Sequence, residues 1–341
     1  MKKKKLHLYG SLEDNIEEID GFKVIEDEIN RLDNIIENTE LIKNKDEKYD
    51  EFIKKMVIAT DNFVIYRPSF RLHSILAGIP WFLDWGRDAL IAFEGIYLVT
   101  KRFDLARETL LTFTRDIKFG LVPNGYSGYD NRPLYNSVDA SLLLFEQVNK
   151  YIKYTNDYDF IKENIYEKLI TIVTSYSNGI DLDDNNIYID TDGLLVSGTE
   201  STQNTWMDVK INDYVVTPRN GKVVEINSLW YNALKTLENL AKKFGDKEVE
   251  KNCKTVATKH KKVFNKKFYN EKKKCLYDVL GDSKVRPNQL FALSTTYPVW
   301  NLKSETAKEI LRNGRKKVII KTWIKNISTN GKRLYFCVRR R

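Results

Sequence analysis

Residues 79–92 read IPWFLDWGRDALIA, placing two tryptophans, a glycine hinge and an Arg-Asp pair at the mouth of a helix. Trp81, Phe82 and Trp85 offer flat apolar faces, while Asp84, Arg87 and Asp88 offer a fork of donors and acceptors. That mixture suits a sugar ring, whose C–H faces stack and whose hydroxyls hydrogen-bond. The same residues also read as an ordinary helix start, with Asp88 in the first turn and Arg87 in a surface ion pair. What lies downstream decides between the two.

Working outward, apolar residues recur at helical spacing through most of the chain. Ile25, Ile29, Leu32, Ile35 and Ile36 mark a connector helix within residues 1–50. Further helices are expected over about 51–63, 87–100, 103–118, 137–154, 158–176, 224–244 and 247–268, with a helical stretch after Pro287. The unusual residues sit between them: GLVPNGYSGYDNRPLYNSVDAS (120–141), IYIDTDGLLVSG (187–198), QNTWMDVKINDYVVTPRNGKVVEINSLWYNAL (203–234) and VRPNQLFAL (285–293). Each pairs aromatic rings with acids, amides or arginine just before a helix begins, where backbone N–H groups point outward. Helical hairpins whose loops converge on one end imply an all-α toroid with a pocket at its centre. A plain helical bundle with aromatic-rich turns has the same periodicity.

Composition narrows the function classes. The 341 residues, 42% hydrophobic and 12% aromatic, can fill a sizeable core. The formal charge of +9 invites a nucleic-acid reading, but residues 312–341 hold eleven Lys or Arg and no acid, and removing them takes +9 to −2. Nucleic-acid binding therefore loses most of its support. Cys253, Cys275 and Cys337 show no CxxC spacing, which suggests neither a disulfide framework nor zinc and fits a reducing cytoplasm. MKKKK is followed by LHLYGSLEDN instead of an unbroken apolar stretch, and no run of 18 apolar residues occurs, so neither secretion nor a membrane span is expected. His7, His73 and His260 are too dispersed for a metal cluster, and no metal or other cofactor is expected.

The chemistry centres on Thr205-Trp206-Met207-Asp208. Desolvation by the flanking Trp and Met disfavours the charged form of Asp208 and keeps its proton for donation. Glycosidic cleavage needs such an acid at the leaving oxygen, and a second carboxylate to activate water or attack the anomeric carbon. Each acid has a bland alternative: Asp208 as a helix cap, Glu225 and Asp139 as first-turn acids.

The ordered set PWFLDWGRD, GLVPN, YNSVDAS, DGLL, TWMD, VTPRNGKVVEINSLWYNAL and RPNQLFAL resembles the glucosidase domain of glycogen debranching enzymes, the amylo-alpha-1,6-glucosidases, over about residues 53–311. The resemblance implies an (α/α)6 toroid that hydrolyses, with inversion and without a metal, the single α-1,6-linked glucose stub of glycogen or limit dextrin. It implies Asp208 as general acid, and Arg87 and Asp88 as the pair that grips the terminal glucose. Trp85, Trp206, Trp230, Asp139, Glu225, Asn288 and Gln289 are expected in the pocket wall.

The resemblance also implies departures. Complete family members carry a further N-terminal domain and, past the RPNQ helix, a segment with the general base, a Glu. Here residues 1–50 read as a connector, 51–311 as a toroid incomplete at its C-terminus and 312–341 as a basic tail unlike the family. With AT-rich codons, a reading frame moved one nucleotide forward turns the tail into a helix end and a family-like loop, so the tail is expected to be frame-shifted. An open ring with exposed apolar faces, poor solubility and impaired hydrolysis are then expected. A non-catalytic glucan-binding remnant is the alternative. Nothing in the sequence speaks to oligomeric state.

Overall fold

The computed structural model describes residues 20–39, 47–79 and 82–317. Tight connections lie at one end of the molecule. Helix α3 (Gly86–Phe93) continues through a π turn at Glu94–Leu98 and reaches α4 (Phe103–Arg115) across residues 99–102. Helix α5 (Asp139–Thr155) reaches α6 (Tyr158–Phe160) across Asn156 and Asp157, and α8 (Val224–Phe244) reaches α9 (Lys247–Lys267) across Gly245 and Asp246. Each link holds a left-handed residue that stops the first helix, Lys101 at φ 58°, Asn156 at 56° and Gly245 at 85°. In two of them an aspartate then starts the next helix: Asp157 accepts from the Phe160 amide at 3.2 Å and Asp246 from the Val249 amide at 3.1 Å.

The connections at the other end are long, spanning 116–138, 179–223 and 268–286, and they feed the N-termini of α5, of α8 and of the 3-10 turn Pro287–Leu290 that leads into α10 (Phe291–Ser294). Burial separates two layers. Helix α5 buries eleven of 17 residues and α8 fifteen of 21, whereas α9 buries four of 21. Helices α3, α5, α8 and α10 pack side by side as the inner layer, and α4, α7 (Tyr166–Asn178) and α9 lie outside them. Between the layers Phe93, Tyr97, Phe113, Phe145, Tyr151, Tyr176, Trp230 and Phe264 are fully buried. This alternation of inner and outer helices is that of an (α/α)6 toroid, as the motifs imply. One stripe of α3 and its π turn is open: Ile91 is 56% exposed, and a methyl group placed on Gly95 would meet nothing within 4 Å.

Some expectations need revision. The chain from 158 to 178 is not one α-helix but α6, a π turn at Ile161–Ile165 and α7. Strands β1 (Val64–Arg67) and β2 (Leu72–Ile75) form an antiparallel hairpin that was not expected, because its turn places a non-glycine, Arg71, at φ 55°. The domain division remains an expectation: positions 50 and 51 lie within α2 (Glu47–Asp61), which packs on α1 (Gly21–Asn38), and positions 311 and 312 within α11 (Glu305–Lys317). The remainder of the basic tail, and His7, Trp81 and Cys337, lie outside the described residues.

Candidate active site

Helix N-termini gather the charged residues that the sequence singles out. Arg87 and Asp88 open α3, Asp139 opens α5, Glu225 opens α8, and Asn288 and Gln289 stand in the 3-10 turn. The loop before α8 folds back over this end. Reciprocal backbone bonds of 3.0 and 2.8 Å between Ser197 and Gly221 pin its base, and Val138 donates to the Asn204 carbonyl at 2.9 Å just ahead of α5.

Arg87 joins three segments. Its Nε donates to Asp139 Oδ2 at 2.7 Å and its Nη1 to Asp208 Oδ2 at 2.8 Å, although 52 and 121 residues separate them in sequence. Burial works against the guanidinium charge, but Asp139 and then Asp208 outweigh it and hold its pKa above the usual value. Asp139 is buried, whereas the Asp208 side chain is 44% exposed. Asp88 faces solvent. Partial loss of hydration pushes its carboxyl up, and Arg87 pulls it back.

A second network holds the other side of the loop. Trp206 Nε1 donates to Asn288 Oδ1 at 2.8 Å, leaving the ring 44% exposed. Asn288 Nδ2 donates to Asp278 Oδ1 at 2.7 Å, and Asp278 accepts from Arg219 Nε at 2.8 Å and Arg286 Nη1 at 2.6 Å. Arg219 also donates to Glu225 Oε2 at 2.6 Å and to Thr205 Oγ1 at 3.3 Å. Trp206 and Asp208 are thus anchored from both flanks. Arg219, Asp278 and Arg286 were not singled out beforehand: Arg219 sits in VTPRNGK, where it reads as a turn residue, and Asp278 has no local signal.

Several expected pocket residues lie elsewhere. Trp230 is core, fully buried and stacked on Tyr176 with ring centroids 5.9 Å apart. Glu225 is closed off behind Arg219, and Gln289 is buried, its Oε1 accepting from the Leu276 amide at 3.1 Å and its Nε2 donating to the Arg286 carbonyl at 3.0 Å. Asp84 belongs to no sugar fork, since it is buried in an ion pair with Arg67. The desolvation expected of Asp208 is also absent: Trp206 and Met207 leave it open to solvent, beside Arg87. Trp85 is half-buried, with its ring against the bare α-carbon of Gly125. Gly86 is a packing residue, not a hinge. A methyl group there would lie 2.5 Å from the Pro123 carbonyl oxygen.

Among the described residues no cluster of three or more His, Cys, Asp or Glu could hold a metal ion, and no helix is long and apolar enough to cross a membrane. His73 pairs with Glu108, and His260 is buried between two backbone carbonyls.

Residues 58–333 match the family model for amylo-alpha-1,6-glucosidase, so the match runs past Leu311 into the basic segment. The glycogen debranching enzyme of Saccharomyces cerevisiae is 27% identical over 243 residues, covering 54% of this chain and 16% of that protein. The chain thus spans about one-sixth of the curated relative's length. Among solved structures, a rhamnosidase from Klebsiella oxytoca with rhamnose bound superposes with a TM-score of 0.50 at 15% identity, over 69% of this chain and 42% of that one. A GH78 family rhamnosidase of Bacillus sp. GL1 gives 0.51 at 16% identity, over 76% and 26%. At these identities the likeness is one of fold. With most of its length matched and its helices in toroid order, the chain belongs to the amylo-alpha-1,6-glucosidase family.

Proposed function

We propose that this chain is a glycoside hydrolase domain acting on single α-1,6-linked glucose residues of a branched glucan such as glycogen or limit dextrin, with inversion. Asp208 is the general acid, and Arg87 and Asp88 hold the hydroxyls of the terminal glucose. The observation that carries this reading is the double grip of Arg87 on Asp139 and Asp208 at the convergent helix N-termini. In that grip Asp208 Oδ2 is an acceptor, and a general acid must be a donor. Glucose hydroxyls that take over Arg87 Nη1 release Asp208 to present a proton to the glycosidic oxygen. Trp206, fixed through Asn288, offers its exposed ring to the sugar.

One observation favours a second reading, glucan binding with strongly reduced turnover. Inversion needs a second carboxylate about 6.5–9.5 Å from the acid, with room for a water between them. Of the other carboxylates gathered at Arg87, Asp139 is buried and paired, and Asp88 is committed to glucose hydroxyls on this reading. Release of free glucose from limit dextrin, assayed beside glucan binding, tests both. The wild-type chain is expected to bind glucan and release glucose slowly, and Asp208→Asn to lower that release about 10²–10⁴-fold while binding persists. Undiminished release by Asp208→Asn refutes the acid assignment, and rapid wild-type release refutes the second reading.

A further inference from the structure

Directly after Asp208 the chain forms a two-stranded hairpin, Lys210–Ile211 against Tyr214–Val215, turning at Asn212 and Asp213. Ile211 lies opposite Tyr214, and the Val216 amide bonds to the Val209 carbonyl at 3.1 Å, so the pairing extends back to the residue next to Asp208. Directly opposed residues share a face, and alternate residues along a strand share it too. One face therefore carries Val209, Ile211, Tyr214 and Val216, which are 59, 61, 69 and 41% exposed. The other face carries Val215, at 8% exposure, opposite Lys210, which is exposed. A hairpin in water normally keeps its apolar face covered, and this one leaves a face of four apolar or aromatic residues exposed. Beside it lies an open cleft of about 480 Å³, lined by Tyr214 and Val215 together with Glu200, Asp213, Pro218 and Asn220.

We propose that this hairpin is the platform for the α-1,4-linked glucan main chain that carries the scissile glucose, with Tyr214 as its stacking ring. The proposal rests on the assignment of Asp208 as general acid. An acid stands on the leaving-group side of the bond it breaks, and in this reaction the leaving group is the polymer. The ribbon that grows out of Asp208 is therefore on the side where the main chain departs. Its chemistry suits that occupant. Apolar C–H faces of glucose rest on Tyr214 and Ile211, while hydroxyls donate to the carboxylates of Glu200 and Asp213 and to the amide oxygen of Asn220. The two carboxylates disfavour an anionic polymer. Binding along the ribbon makes recognition depend on the chain length behind the branch, which a pocket for one glucose cannot do.

Calorimetric titration of the full chain with two probes tests the proposal: maltoheptaose for the main chain, and 1-deoxynojirimycin for the terminal glucose pocket. Tyr214→Ala is expected to weaken maltoheptaose roughly fivefold, with Tyr214→Trp restoring it, and to leave 1-deoxynojirimycin within twofold of wild type. The platform is overturned if maltoheptaose does not bind the wild-type chain, or if Tyr214→Ala binds it as wild type does. It is equally overturned if the wild-type chain sediments as a dimer that Tyr214→Ala dissociates with maltoheptaose binding unmoved, which makes the ribbon a contact between copies. Failure of 1-deoxynojirimycin to bind the wild-type chain refutes the glucose pocket instead, and a maltoheptaose loss in Tyr214→Ala then still supports the platform as a glucan site.

Discussion

Arg219 braces the loop of the candidate site through Glu225, Asp278 and Thr205. Its guanidinium is almost fully buried, and against the cost of that burial Glu225 and Asp278 hold its charge and raise its pKa. Arg219→Met leaves Glu225 buried without its ion-pair partner, while Asp278 keeps Arg286 and Asn288, and a buried carboxylate stripped of its partner costs about 3–5 kcal/mol. A drop of that size in urea stability is expected, with loss of glucan binding as the loop 198–220 loosens, and a variant with wild-type stability would contradict the network's role. His260 supplies a pH dependence. Burial pushes its pKa down to about 4, against the pull of the Gly193 and Asn227 carbonyls. In the unfolded chain it takes a proton near pH 6.5, so between about 6.5 and 4 the unfolded state binds more protons and stability falls with acidification, by on the order of 3 kcal/mol. Urea midpoints followed across that range should fall less steeply for His260→Gln, and equal slopes would exclude His260 as the source. Arg87, Asp139 and Asp208 were legible as candidate site residues because each is a charged group at a helix start or in an aromatic loop. The Arg219–Asp278 pair was not, since its members are 59 residues apart and neither has a local signature.

At the scale of elements, α3 shows how packing positions chemistry. The Gly86 amide donates to the Asn124 carbonyl at 2.7 Å, so the helix starts in contact with the strand-like segment after Pro123, and Arg87 follows one residue later. Gly86→Ala places a methyl group 2.5 Å from a backbone oxygen that has no rotamer to yield. It should cost about 1–3 kcal/mol and displace Arg87 enough to weaken glucan binding, as thermal unfolding and a binding isotherm would show. Wild-type behaviour would mean that this contact is slack. Helices α5, α8 and α9 were legible to within a few residues, because apolar periodicity and an Asp or Gly at the links are local signals. The π turns in α3 and before α7 were not. A π turn shifts the phase of the apolar repeat by about 100° at one point only, which a repeat read over a few turns on either side does not resolve.

Across the whole molecule, apolar surface is concentrated where helices lack a neighbour among the described residues. On α1, Ile25 and Ile29 are 52 and 53% exposed; on α2, Phe52 and Met56 are 57 and 46% exposed. These pairs stand four residues apart on their helices, so each forms a stripe. The chain is expected to self-associate with rising concentration, and Ile29→Glu combined with Met56→Glu to shift sedimentation toward the monomer. Concentration-independent sedimentation of the wild-type chain would contradict this. The open stripe of α3 at Ile91 and Gly95 belongs to the same picture.

By itself the sequence determined the family and the helical architecture, since short motifs in fixed order and apolar spacing are written within tens of residues. It also marked candidate loops, because aromatic and charged residues crowd those segments. Only the tertiary structure decided which charges meet. Arg87 reaches Asp139 and Asp208 across 52 and 121 residues, and no local pattern specifies such a pairing. Burial was decided there too. Trp206 and Met207 do not cover Asp208, while Trp230 and Glu225 vanish into the interior, because solvent exposure depends on what the rest of the chain brings alongside a residue and not on its neighbours in sequence.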